Sequence, residues 1–200
     1  MLKLIPILTA ALAAFSATSY LQEPIKLFDA GQFGDAETKL ETIVSQHPDD
    51  AAAHAWLAMA RLSREKTGEA KPEVEKAVDL KADSVESQAA RAWLAVQEKN
   101  FDAAGQALAK AAEMEEDSVL VPYVKGLMLV EKKDWSPAAE EFDRAIERNP
   151  HLAFAYYYSG IAYSRVNRQD KMVERFQTFM KLAPKTPEAR KVQSLLRAVR

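Results

Sequence analysis

The sequence predicts an all-α solenoid of stacked antiparallel helix pairs. Three observations carry that expectation. Residues recur at a spacing of 34: Gly126 and Gly160, Pro150 and Pro184, the series Ala36, Ala70, Ala104, Ala138, and the series Leu40, Val74, Leu108, Phe142. A period of that length suits one helix–turn–helix unit, which cannot bury its apolar face alone and is stabilised by its neighbours. Small, large and small residues such as Ala138, Phe142 and Ala145 are spaced four and three apart, so they share one face of a helix. Strand signals are missing: there is no sustained alternation, few β-branched runs and no Asn-Gly turn.

The frame runs without a gap through units 17–50, 51–84, 85–118, 119–152 and 153–186. In the first unit Pro24 falls in the leading helix and restricts it to the part from Pro24 onward. In the second, Glu65–Pro72 reads as the softest joint, with Gly68 supplying the turn and Pro72 placed in the first turn of the next helix. In the third and fourth, Asn100-Phe101-Asp102 and Asp134-Trp135-Ser136 open the second helices, with Asp and Ser as caps. Pro48, Pro150 and Pro184 end helices, because the residue before proline avoids helical torsions. A last amphipathic helix over about 187–200 carries Val192, Leu195, Leu196 and Val199 at helical spacing among Arg190, Lys191, Arg197 and Arg200. It is expected to cap the open end of the array.

Residues 1–19 have a different layout. A basic start, Met1–Lys3, is followed by an uncharged apolar run, Leu4–Phe15, and by small polar residues with Ala17 and Ser19 at small-x-small spacing. This is the pattern of a secretory signal peptide, and the apolar run is shorter than the roughly 20 residues needed to span a bilayer. The expectation is an exported protein, periplasmic or secreted. An uncleaved N-terminal membrane anchor is the alternative, and it would be the sole membrane contact.

The repeated residues resemble the tetratricopeptide repeat family, whose pattern is W-x-x-L-G-x-x-Y, then A-x-x-x-F-x-x-A, then P. The fifth unit reads Tyr156, Gly160, Tyr163, Met172, Phe176, Phe179, Pro184, and the fourth reads Gly126, Leu129, Ala138, Phe142, Ala145, Pro150. Earlier units depart from the pattern: Ala58 and Ala92 replace Gly, and Arg91 and Lys125 stand where Leu is usual. The resemblance implies a right-handed superhelix with a C-terminal capping helix and a concave inner surface. It says little about ligand.

The register then locates a candidate surface. In each leading helix, positions two, five, nine and twelve of the unit share one side, with positions six and thirteen at its border. Position five holds Ala55, Ala89, Tyr123 and Tyr157; position nine holds Met59, Trp93, Leu127 and Ile161; position six holds Trp56, Ala90, Val124 and Tyr158. By resemblance this stripe lines the concave surface. An apolar, aromatic stripe of this kind marks a protein-interaction groove unless the superhelix closes on itself and makes it core. The expected contacts are Trp56, Met59, Trp93, Tyr123, Leu127, Tyr157, Tyr158 and Ile161. The expected ligand is an apolar or amphipathic segment of a partner protein. Family members that grip a terminal carboxylate carry Lys and Asn at positions five and nine; this chain has neither there. The alternative is a self-associating or envelope-complex assembly subunit, using the same surface or the basic C-terminal end. From Ile161 to Arg200 there are ten Lys and Arg against three Asp and Glu, a bias that suits solvated faces or an acidic partner.

No enzyme is expected. His47 and His151 adjoin helix-ending prolines, and His54 occupies a packing position. Asp49, Asp50 and His54 lack ligand spacing for a metal, and the six glycines form no phosphate-cradling loop. Neither a cofactor nor a nucleic-acid partner is expected: the net charge is −2, and with no cysteine there is no thiolate metal site and no disulfide framework.

Overall fold

The computed structural model describes residues 20–198. The proposed export segment 1–19, together with Val199 and Arg200, lies outside the described residues. Among the described residues the chain is entirely helical: α1 (Gln22–Asp29), α2 (Phe33–Gln46), α3 (Ala51–Leu62), α4 (Thr67–Leu80), α5 (Val85–Gln97), α6 (Phe101–Met114), α7 (Leu120–Glu131), α8 (Trp135–Arg148), α9 (Ala153–Arg165), α10 (Gln169–Leu182) and α11 (Pro187–Ala198). Ten helices form five antiparallel pairs, and α11 packs on α10. The second helices begin at Phe33, Thr67, Phe101, Trp135 and Gln169, so the period of 34 is obeyed to the residue.

The turns share one backbone device. Gly31, Glu65, Lys99, Lys133 and Asn167 all have positive φ, between 59° and 71°. After each, an amide donates five residues back, as in Lys66 N to Arg61 O at 3.0 Å and Asn100 N to Ala95 O at 2.8 Å. This left-handed C-cap satisfies orphan carbonyls and reverses the chain. Of the five, only Gly31 is free of the steric cost of a side chain in that conformation.

The turn of the second unit is therefore made at Glu65, three residues before the glycine expected to make it. Gly68 and Pro72 lie inside α4, and Pro72 is its sixth residue, beyond the first turn. Both are exposed, so the Gly68 carbonyl that proline leaves without an amide partner can be met by water. Pro24, in contrast, is the third residue of α1, which starts two residues ahead of it. The capping groups also differ from expectation. Asn100 caps α6 by accepting from Ala103 N at 3.2 Å, and Asp134 precedes α8 without a side-chain cap bond. Asp102 and Ser136 fall inside their helices. Asp50 caps α3 from Ala52 N and Ala53 N at 2.9 and 3.1 Å, and Ser84 caps α5.

Packing explains where the repeat keeps glycine. A Cβ on Gly126 would lie 2.7 Å from the Phe142 ring, and one on Gly160 would lie 2.5 Å from the Phe176 ring. Both rings are fully buried. In the second and third units the equivalent pairs are Ala58 with Val74 and Ala92 with Leu108, all buried. The departures from the family pattern are thus paired: a larger residue on the first helix accompanies a smaller one on the second, at similar total volume.

A buried ionic cluster joins α2, α3 and α4. Glu37, 3% exposed, accepts from Arg64 and from Lys66 Nζ at 2.9 Å. Arg61 donates to Glu73 at 2.9 Å and to Glu41 at 3.0 Å. His54 completes it, with Nδ1 2.5 Å from Glu73 and Nε2 3.0 Å from the Pro48 carbonyl. Burial would raise the Glu37 pKa, but the Lys66 and Arg64 hydrogen bonds and charges outweigh it and hold the carboxyl below its ordinary value. At the other end, α11 seals the array through Ala189 and Val192, while Leu195, expected to share that face, is 53% exposed.

Candidate functional site: the closed concave surface

The eight inner-stripe residues do not line an open groove. Met59, Trp93, Tyr123, Leu127 and Trp56 are buried, at 0 to 8% exposure. Tyr157, Tyr158 and Ile161 are partly exposed. The register assigned all eight to the inner surface; the curvature then divides them.

Their surroundings show how the surface closes. A continuous circuit of aromatic contacts runs around the inside. Phe28 meets Phe33 at 5.0 Å between ring centroids, and Phe33 meets Phe154 at 4.7 Å. Phe154 meets Tyr158 at 6.1 Å, and Tyr158 stacks on Phe142 at 5.5 Å. Phe142 meets Tyr123 at 6.1 Å, Tyr123 meets Trp93 at 5.6 Å, and Trp93 returns to Phe28 at 6.3 Å. Trp56 adds a second contact to Phe28 at 5.3 Å. Offset and edge-to-face pairs in this distance range add about 0.5–1.5 kcal/mol each beyond their burial. The circuit passes from α1 and α2 directly to α9, joining the first unit to the fifth.

Two further features fix this seam. Asn149 Nδ2 donates to Asp29 Oδ2 at 2.9 Å. Burial raises the Asp29 pKa, and the Asn149 bond and the His151 charge oppose it only in part. Gly31 sits so close to Phe154 that an added Cβ would fall 2.6 Å from the ring. At the N-terminal edge, Tyr20 stacks on His47 at 4.5 Å and donates to Asp50. Burial first, then the Asp50 bond and charge, push the Tyr20 phenol up to about 12. Asp50 therefore serves as a helix cap and a tyrosine acceptor. His54 is occupied in the ionic cluster.

What stays open is the mouth of the closed surface. A cleft of about 460 Å³ is walled by Phe33, Phe154, Tyr157, Tyr158 and Ile161, with Arg64, Glu188 and Lys191 at its rim. A smaller opening of about 160 Å³ shares Ser63, Glu65 and Tyr158 with it and reaches down to Trp93 and Leu127. Burial pushes the Tyr158 phenol above its ordinary range, so it stays a neutral donor. The combination is an aromatic floor with mixed charges at the edge, suited to an apolar side chain flanked by polar groups. A second depression of about 460 Å³ lies on the outer face over Val74, Val78 and Leu94, beside Arg91. It contains none of the inner-stripe residues.

Sequence reasoning missed Phe28, Phe33, Phe142 and Phe154 as parts of this site. Phe28 and Phe154 were legible by register, at positions twelve and two of their units. Their meeting across the seam was not.

Residues 27–94 match the family model of the tetratricopeptide repeat. These are tetratricopeptide repeats. The fold extends over the whole described array in solved structures. TTC0263, a thermophilic tetratricopeptide repeat protein of Thermus thermophilus, superposes with a TM-score of 0.67 at 17% identity, over 90% of this chain and 98% of that one. PilF of Pseudomonas aeruginosa superposes with a TM-score of 0.57 at 17% identity, over 91% and 83%. YrrB, described as a tetratricopeptide repeat protein with an unusual peptide-binding site, gives 0.51 at 19% identity, over 94% and 98%. At such identities the likeness is one of fold. No curated protein matches the chain. The tetratricopeptide fold is that of a protein–protein interaction scaffold.

Proposed function

We propose that this tetratricopeptide array is a non-catalytic scaffold that captures an apolar or amphipathic segment of a partner protein at the mouth of its concave surface. Partial exposure of Tyr157, Tyr158 and Ile161 at an aromatic cleft of about 460 Å³ supports this reading. Aromatic residues set in a partly enclosed, desolvated pocket are the usual anchors of protein recognition. Trp56, Met59, Trp93, Tyr123 and Leu127 lie behind them and reach a partner only where the circuit opens.

A photo-crosslinking phenylalanine at Ile161, introduced in the native cell, tests the site. The expected result is one dominant adduct that is lost when Tyr157→Glu is added to the same probe-bearing chain, while the same probe at exposed Leu195 gives none. Equal adducts at both positions would refute the mouth as the site. We also propose export, on the layout of residues 1–19. Mass spectrometry of the mature chain should find an N-terminus near residue 20; a chain that keeps Met1 in the soluble cytoplasm would refute it.

A further inference from the structure

We propose that α1 is a displaceable plug, and that the partner segment is an amphipathic helix that takes its place, putting an aromatic side chain where Phe28 now sits. The inference rests on the scaffold reading and names the occupant of the inner surface.

The molecule already shows what the inner surface accepts. Phe28, 1% exposed, is inserted between Trp56, Trp93 and Phe33. Leu21 and Pro24 are buried with it, while Glu23 and Lys26 face solvent. This is the arrangement of a short amphipathic helix laid in an apolar groove, anchored by one large side chain.

Three observations mark α1 as the element that leaves. It has eight residues, against 12 to 14 for the other described helices. Its backbone packs closely on α2 alone, whereas α3, α5 and α7 also pack closely on each other along the array. Its connection to α2 is the one turn of five with glycine at the left-handed position, so only this turn can change its torsions without moving a side chain through forbidden space. Its ties are the buried Leu21, Pro24 and Phe28, the Asp29–Asn149 hydrogen bond, the exposed Glu23–Lys39 ion pair at 2.9 Å, and Tyr20 on His47 and Asp50. All are contacts an incoming helix could replace. Its departure would uncover Trp56 and Trp93, two of the residues the register assigned to the groove. A partner helix with an aromatic near its C-terminal turn and an acid next to it would reproduce both Phe28 and Asp29.

The first test uses the unaltered chain. Hydrogen exchange should show the α1 amides opening at least tenfold faster than those of α7, because local opening draws on the elements with fewest buried contacts. Equal rates would make α1 part of the common core and overturn the plug. The second test uses a synthetic peptide of the sequence of residues 20–32. It should bind the full-length Phe28→Ala chain at least tenfold more tightly than a chain locked by Asp29→Cys and Asn149→Cys bridged with a short thiol crosslinker. The chain's lack of cysteine makes that bridge selective. A peptide that binds neither chain, or both equally, overturns the proposal. Loss of peptide binding with the Ile161 adduct intact would remove the plug and leave the scaffold. Loss of the adduct with peptide binding intact would do the reverse.

Discussion

Replacing Gly160 by Ala should destabilise the fold, although alanine is the better helix former. The propensity gain is about 1 kcal/mol. Against it stands the new Cβ, 2.5 Å from two carbons of the Phe176 ring, closer than carbon atoms can come. Phe176 is 1% exposed and held by core neighbours, so the ring cannot swing away cheaply. Overpacking a filled core costs about 1–3 kcal/mol, and a contact this short belongs at the upper end. The net expectation is a loss of about 2 kcal/mol. With a urea slope of about 2 kcal/mol per M, the denaturation midpoint should fall by about 1 M at unchanged slope. Gly105→Ala is the control. Gly105 lies inside α6 with no atom within 4 Å of an added Cβ. The same substitution there should stabilise by about 0.5–1 kcal/mol. The decisive chain is the double variant Gly160→Ala with Phe176→Leu, which copies the Ala92–Leu108 pair of the third unit. Its loss should be smaller than the sum of the two single losses by at least about 1 kcal/mol. Helical circular dichroism against urea supplies all four values. Additive single losses, or a stabilising Gly160→Ala, would refute the account of why glycine is kept.

Other expectations follow from single features. Lys99→Gly should stabilise by about 1 kcal/mol, because Lys99 carries a left-handed torsion; no change in the urea midpoint would count against strain at the turns. Pro72→Ala should stabilise by about 1–3 kcal/mol by restoring an amide within α4, and an unchanged midpoint would mean α4 bears no cost there. Glu37 titrates in the folded state below its ordinary value of 4.5, so its contribution is complete above that pH and is lost as pH falls through the lower folded value. The urea midpoints of wild type and Glu37→Gln should therefore differ at pH 7 and converge in acid; a constant gap would exclude the ionic role. Tyr20 and Tyr163 sit with carboxylates, burial and those carboxylates pushing each phenol up to about 12. Their stabilisation is present below pH 10 and is lost as pH rises through 12. Burial also raises the other four phenols, so absorbance at 295 nm should show late ionisation throughout the wild type, and Tyr163→Phe should remove one tyrosine from the step near 12.

The fold was legible because its information is local and repeated. Ala138, Phe142 and Ala145 name a helix face by spacing alone, and the same spacing in the other units makes the reading redundant. Turn chemistry was less legible. Gly68 and Pro72 looked like a joint because glycine and proline commonly punctuate chains, yet the turn sits at Glu65, where a left-handed residue is imposed by the helix pair. Lys99 and Lys133 carry the same torsion without any compositional signal, whereas Asn167 is a residue type that adopts it readily. The capping prediction failed by register: Asn100 caps α6 while Asp102 is already inside it. The candidate site was legible as a face and not as a shape. Spacing assigned Trp93, Tyr123 and Tyr157 to one inner stripe, and the structure supports that assignment. Whether such a stripe is a groove or a core depends on how far each unit rotates on the last.

That rotation is a sum of small packing differences, and it carries a consequence for the array. In an open solenoid each unit touches only its neighbours, so stability is a chain of local interfaces. Here Phe33 and Phe154 meet across 121 positions of sequence, and Asn149 reaches back to Asp29. Such contacts add an interface between the two ends that no repeat period encodes. The fifth unit is thereby supported by the first, and a change at the seam should act on both. Gly31→Ala would place a Cβ 2.6 Å from Phe154 and force a left-handed torsion on alanine. If the ends are coupled, hydrogen exchange in this variant should accelerate in α1 and in α9 together, with α5 and α6 little changed. Acceleration confined to α1 and α2 would mean that the seam is a contact without cooperativity, and that the array behaves as a linear one.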